Sequence, residues 1–154
     1  MDFVTTEDLE APIASVFSAL TDFDAFEKMA ARRGVQTRRT DGLPGAGAGM
    51  AWQLDFRYRG KPRRMTLLLA DHQPPEQMRL TGDSRAVAGE LLIELIELAR
   101  NRTRVRVVLQ VAPKTIPAKL LVQSLRLARA RVNERYEARV RSFLKDLETR
   151  LQRA

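Results

Sequence analysis

Cysteine is absent from the 154 residues, which excludes disulfides, thiolate metal sites and cysteine nucleophiles. Histidine occurs once, as His72, so no zinc site of histidine and cysteine ligands can be assembled. A Ser-His-Asp triad would have to use that one residue, and no Gly-x-Ser-x-Gly elbow is present. His72 follows Asp71 in front of a proline pair and is expected at an exposed turn. Aromatic residues make up only 6% of the chain, and few stand on the basic face of the C-terminal helix, which argues against single-strand base stacking there. No apolar run approaches the roughly 20 residues of a membrane span. The start, Met1 to Asp8, is acidic and lacks an apolar h-region, so no signal peptide is expected and the location is expected to be cytoplasmic.

What is present fits one domain, 1–154, with a single sizeable core. The formal charge is +8, but it is unevenly placed. Residues 115–154 carry ten Lys and Arg against four Asp and Glu, while the other 114 nearly balance at seventeen to fifteen. A basic helix of this kind either is a solvated outer face or attracts nucleic acid or anionic lipid.

Periodicity orders the chain. Phe3 to Leu9 reads as a strand, and Ala11-Pro12 opens a short helix with Val16, Phe17 and Leu20 on one face. Asp22 or Asp24 caps a second, in which Phe23, Phe26 and Met29 or Ala30 share a face, and Gly34 closes it. Asp41 to Gly49 holds four glycines. It lacks the Gly-Lys-Ser/Thr ending of a phosphate loop and strand follows it, so a hairpin loop is expected. From Met50 the period becomes two: Met50, Trp52, Leu54, Phe56 and Tyr58 alternate with polar residues, and further strands follow up to Val111. Glu97 breaks the alternation and predicts a bulge or strand end; an inward Glu97 would instead be a desolvated acid able to act as a general base. Thr115 to Arg153 reads as one long helix without Gly or Pro after Pro117, carrying Leu121, Leu125, Ala128, Val132, Tyr136, Val140, Phe143, Leu147 and Leu151 on one stripe. Short turns between strands make the sheet antiparallel, with one dry face for the helix to cover. The fold class is α+β.

That order, with three local patterns, resembles the START-like superfamily of polyketide cyclases and lipid-transfer proteins, the helix-grip fold. The patterns are Ala11-Pro12 followed by Val16-Phe17 and Leu20-Thr21-Asp22; the turn Pro74-Pro75-Glu76-Gln77-Met78-Arg79-Leu80; and Thr103-Arg104-Val105 entering the last strand. Phe143 to Glu148 looks like the usual end of the family's helix. The resemblance implies a curved antiparallel sheet of about seven strands wrapped on a long C-terminal helix, with two short helices after the first strand. It also implies a cavity between sheet and helix for a hydrophobic or amphipathic small molecule, whether lipid, quinone or polyketide-like.

On that expectation the ligand-binding residues are Trp52, Leu54, Phe56, Tyr58, Met65, Leu67, Met78, Leu91, Leu125 and Tyr136. The aromatic row of Trp52, Phe56 and Tyr58 is equally readable as plain core. No catalytic residue, metal or cofactor is expected. Arg129, Arg135 and Arg139 flank the helix stripe and either snorkel along the sheet edge or, with Asn133 or Tyr136, meet a ligand head group. Two alternatives stand beside a carrier. One is a cyclase or aromatase type of enzyme using Glu97 or Tyr136. The other is a basic module in which Arg126, Arg131 and Arg141 bind ribosome, nucleic acid or anionic membrane. No specific nucleic acid partner is expected, a peripheral anionic contact through the C-terminal helix is, and the chain is expected to be a monomer or homodimer.

Overall fold

The computed structural model describes residues 1–153. Strand β1 (Asp2–Leu9) leads into helices α1 (Ile13–Leu20) and α2 (Phe23–Arg32). Six strands follow: β2 (Gln36–Arg39), β3 (Ala51–Tyr58), β4 (Lys61–Gln73), β5 (Gln77–Ser84), β6 (Val87–Ala99) and β7 (Arg102–Pro113). Helices α3 (Ile116–Leu127) and α4 (Arg129–Arg153) complete the described chain. All seven strands form one antiparallel sheet in the order β1-β7-β6-β5-β4-β3-β2. The α+β class and the strand number match the sequence reading.

The register explains why one face is dry. Trp52 sits opposite Leu67 and Leu54 opposite Met65. Leu80 faces Leu91 and Met78 faces Ile93, and Ile93 and Leu95 face Val107 and Val105. Opposed residues share a face, so these strands build one apolar surface, and a one-residue slip would turn it to water. Two shifts interrupt the ladder. Glu97 keeps register opposite Thr103 with the shift directly after it, and it is exposed near the end of β6, so the out-of-phase acid adjoins a bulge and is not a desolvated inward base. The shift at Leu69/Asp71 pairs His72 with Met78. His72 is thereby a half-buried strand residue whose ring lies 5.5 Å from that of Phe17, not an exposed turn residue. The sequence pattern could not show this, because a bulge inverts the facing of everything beyond it.

Local chemistry sets the ends of the short helices. Asp22 accepts a hydrogen bond from the Ala25 N–H, 3.2 Å, as the N-cap of α2. Gly34, at φ +82°, takes the left-handed position after its C-cap. The glycine-rich hairpin after β2 is organised by Asp41, which accepts from Leu43 N–H, Ala51 N–H and both ends of the Arg39 guanidinium. The Arg39 bond, followed by the backbone N–H of Ala51, holds the Asp41 carboxyl well below the usual carboxylate range.

The long helix is the one element that departs from expectation. It is two helices, broken at Ala128, whose N–H bonds back to Leu125 O in a tightened turn. No Gly or Pro marks the place. The two segments have different neighbours: α3 touches β7, whereas α4 touches β1 and α1. Only Val122 of α3 is buried, and the buried residues of α4, Leu144 and Leu147, lie in its second half. They join Leu9, Val16, Leu20, Leu69 and Val105 in the core.

One polar contact sits inside that core. Thr103, fully buried, donates its hydroxyl to Ala11 O at 2.8 Å and so ties β7 to the chain entering α1. Thr103→Val keeps the shape but strands the Ala11 carbonyl. The expected loss is about 1–3 kcal/mol of unfolding free energy, read from urea denaturation; an unchanged midpoint would show that this carbonyl finds another donor.

A candidate ligand cavity under helix α2

Between α2 and the dry face of the sheet lies a cavity of about 520 Å³. Helix α2 builds one wall through Phe23, Phe26, Glu27, Ala30 and Arg33. Their spacing of three and four residues is why a single helix can line it. Strands β3 to β6 build the other wall, with Trp52, Leu54 and Leu67, then Met78, Leu80 and Leu91. Phe143 of α4 closes one side, 6.1 Å from the Phe26 ring.

Trp52 is the hinge between these walls. It is 5% exposed, its indole N–H donates to Glu27 Oε1 at 2.8 Å, and its ring lies 5.1 Å from that of Phe23. The Arg39 guanidinium stands 5.5 Å from the centre of the same ring, a cation–π contact. Strand and helix are thus pinned at one point, and the space beside it is left unfilled. Glu27, Arg33 and Thr37 are the only polar side chains of the lining apart from the indole. Arg33 is exposed and has no carboxylate partner among the described residues. The lining is therefore apolar with a few polar groups, the usual make-up of a small-molecule site.

Of the residues read from the sequence, Trp52, Leu54, Leu67, Met78 and Leu91 stand in this lining. Phe56, Tyr58, Met65, Leu125 and Tyr136 stand elsewhere. Phe56 and Tyr58 continue the same sheet face toward the β3–β4 turn, where they sit opposite Arg63 and Lys61, and Tyr58 is 53% exposed; Met65 sits opposite Leu54 but outside the lining. Leu125 lies on α3. Tyr136 packs on Phe3 of β1, ring centres 4.9 Å apart. Its hydroxyl is buried without a hydrogen-bond partner, and burial pushes the phenol above its ordinary pKa. Glu97 lies outside the cavity, so neither candidate for proton transfer reaches it. The α2 contribution was not assigned to a site from sequence. Its signal was there in the shared face of Phe23, Phe26 and Ala30, but periodicity cannot say whether a face meets side chains or space.

Arg141 and Lys145 on α4 both reach Glu7 of β1. Among the described residues, no group of three or more His, Asp or Glu could hold a metal ion, and no helix is long and apolar enough to cross a membrane.

No protein-family model matches the chain, and no curated protein does. Solved structures do. The Zhui aromatase/cyclase from Streptomyces sp. R1128 superposes with a TM-score of 0.66 at 13% identity, over 99% of this chain and 94% of its own. The chain has the START-like, helix-grip fold. Two further structures of this fold agree. Ara h 8.0201 gives a TM-score of 0.61 at 14% identity, over 100% of this chain and 99% of its own. A conserved protein from Geobacillus kaustophilus gives 0.63 at 14% identity, over 99% and 96%. At such identities the shared helix-grip architecture is what the likeness carries; it places the two short helices, the seven-stranded sheet and the C-terminal helix, and leaves the chemistry to the residues of this chain.

Proposed function

We propose that this helix-grip protein binds a hydrophobic or amphipathic small molecule, of the lipid, quinone or polyketide-like kind, in the cavity under α2. The observation that carries the reading is the cavity itself: about 520 Å³ of space walled by aromatic and aliphatic side chains, with Glu27, Arg33 and Thr37 as its polar points. Burying apolar ligand surface there contributes about 25 cal/mol per Å², so uptake needs no covalent chemistry. The fold shared with an aromatase/cyclase keeps an enzyme of that type as the alternative, but neither Glu97 nor Tyr136 lines the cavity, and the carboxylate that does, Glu27, is engaged by the Trp52 indole.

The experiment is native mass spectrometry of freshly purified protein, followed by organic extraction. A retained, extractable apolar compound supports the carrier reading and names its class. A bare mass that stays bare against fatty acids, quinones and aromatic polyketides overturns it. Trp52 supplies an independent readout, being the only tryptophan and part of the lining. Anilinonaphthalene sulfonate entering the cavity is expected to quench its emission and to be displaced by the extracted compound. Dye binding with Trp52 emission unchanged would place the dye elsewhere.

A further inference from the structure

The most exposed apolar side chains of the molecule are not at the cavity. Ile116, Leu120 and Leu127 on α3 are 73%, 59% and 93% exposed. At 100° per residue they fall within about 40° of one another, a narrow ridge on the side opposite buried Val122 and half-buried Leu125. Lys119 and Arg126 share the adjoining flank, and Arg129 and Arg131 follow directly at the start of α4.

The charge around this ridge has one sign. Residues 98–133 contain nine Lys and Arg and no Asp or Glu. Arg102 and Arg104 pair with Asp8, Arg106 with Glu94, and Lys114 with Asp83. Lys119, Arg126, Arg129 and Arg131 have no carboxylate partner among the described residues. An uncompensated cationic rim around protruding aliphatic side chains matches a surface that is anionic outside and apolar beneath. We propose that α3 is a docking helix for an anionic lipid bilayer, lying in the interface with Ile116, Leu120 and Leu127 inserted and the four cations at the headgroups.

The same facts disfavour other occupants. A second copy packed ridge to ridge would bring two sets of unpaired cations together. Nucleic acid would satisfy the cations but leave the aliphatic ridge in water, and no aromatic side chain stands there to stack on a base. The ridge is no part of the cavity lining, so this inference stands independently of the bound small molecule.

The test is vesicle flotation of the full chain, before and after organic stripping, with vesicles of phosphatidylcholine alone or mixed equally with phosphatidylglycerol. Flotation is expected with the anionic vesicles only, equally for stripped protein, and weakening as salt rises from about 50 to about 500 mM. Leu120→Ser/Leu127→Ser is expected to lower partitioning roughly tenfold or more, and Arg126→Glu/Arg129→Glu to abolish it. Both pairs are solvent-facing, so unchanged thermal melts will show that the variants fold. Failure to float, flotation that ignores the serine pair, or a concentration-dependent dimer dissolved by that pair would each overturn the assignment, the last in favour of a second copy.

Discussion

Leu54→Asp is expected to abolish uptake of the hydrophobic compound, while Phe56→Asp, two residues along the same strand face, leaves it intact. Both side chains point to the dry side of β3, and both are half-buried. Only Leu54 stands in the cavity lining, opposite Met65 and beside Trp52. An aspartate at residue 54 would have to lose water when an apolar ligand covers it. A cost of about 3 kcal/mol, modest for burying a carboxylate, already corresponds to about 100-fold in affinity. An aspartate at residue 56 would lie outside the lining and opposite the exposed Arg63, and would stay hydrated. Isothermal titration with the extracted compound, or dye displacement followed through Trp52, reads the difference. Equal loss in both variants, with native circular dichroism, would mean that the ligand extends along the open sheet face toward Tyr58. Equal retention would remove the cavity as the site.

The second large effect concerns stability. Leu121 and Leu147 belong to the same periodic stripe, yet Leu147 is 1% exposed and Leu121 is 45% exposed. Leu147→Ala opens a hole in the core shared by α1, β1 and α4. The expected cost is about 2–5 kcal/mol, a fall in melting temperature of about 5–15 °C for a domain of this size. Leu121→Ala is expected to cost well under 1 kcal/mol, because most of the removed surface already faces water. Melting curves of the two variants suffice. Similar losses would mean that α3 is packed as firmly as α4.

These two pairs also show how far the sequence could be read. Strand identity was legible because a half-buried strand must alternate, and β3 does so from Trp52 to Tyr58 without interruption. The caps were legible because Asp22 and Gly34 are chemically suited to the positions they hold. Glu97 announced its bulge by falling out of phase. His72 could not announce its inward turn, since the shift at Leu69/Asp71 occurs in a run of residues acceptable on either face. Half of the expected ligand-binding residues lie outside the cavity lining for a related reason. Trp52 to Tyr58 is one continuous face, and nothing along it records where the covering helix stops.

What the sequence determined by itself is the α+β order, the antiparallel pairing, the dry face, and the concentration of positive charge near the C-terminus. Each follows from local periodicity or composition, which short-range sterics and hydration enforce within a few residues. The tertiary structure alone decided three further things: that α2 lies over Trp52 and Leu54 and leaves space beneath it, that the C-terminal helix divides at Ala128, and that Leu147 is sealed while Leu127 stands in water. Burial and empty space are properties of surfaces brought together from distant parts of the chain. A hydrophobic stripe states that something must cover it, and only packing decides whether the cover is a strand, a ligand or another surface.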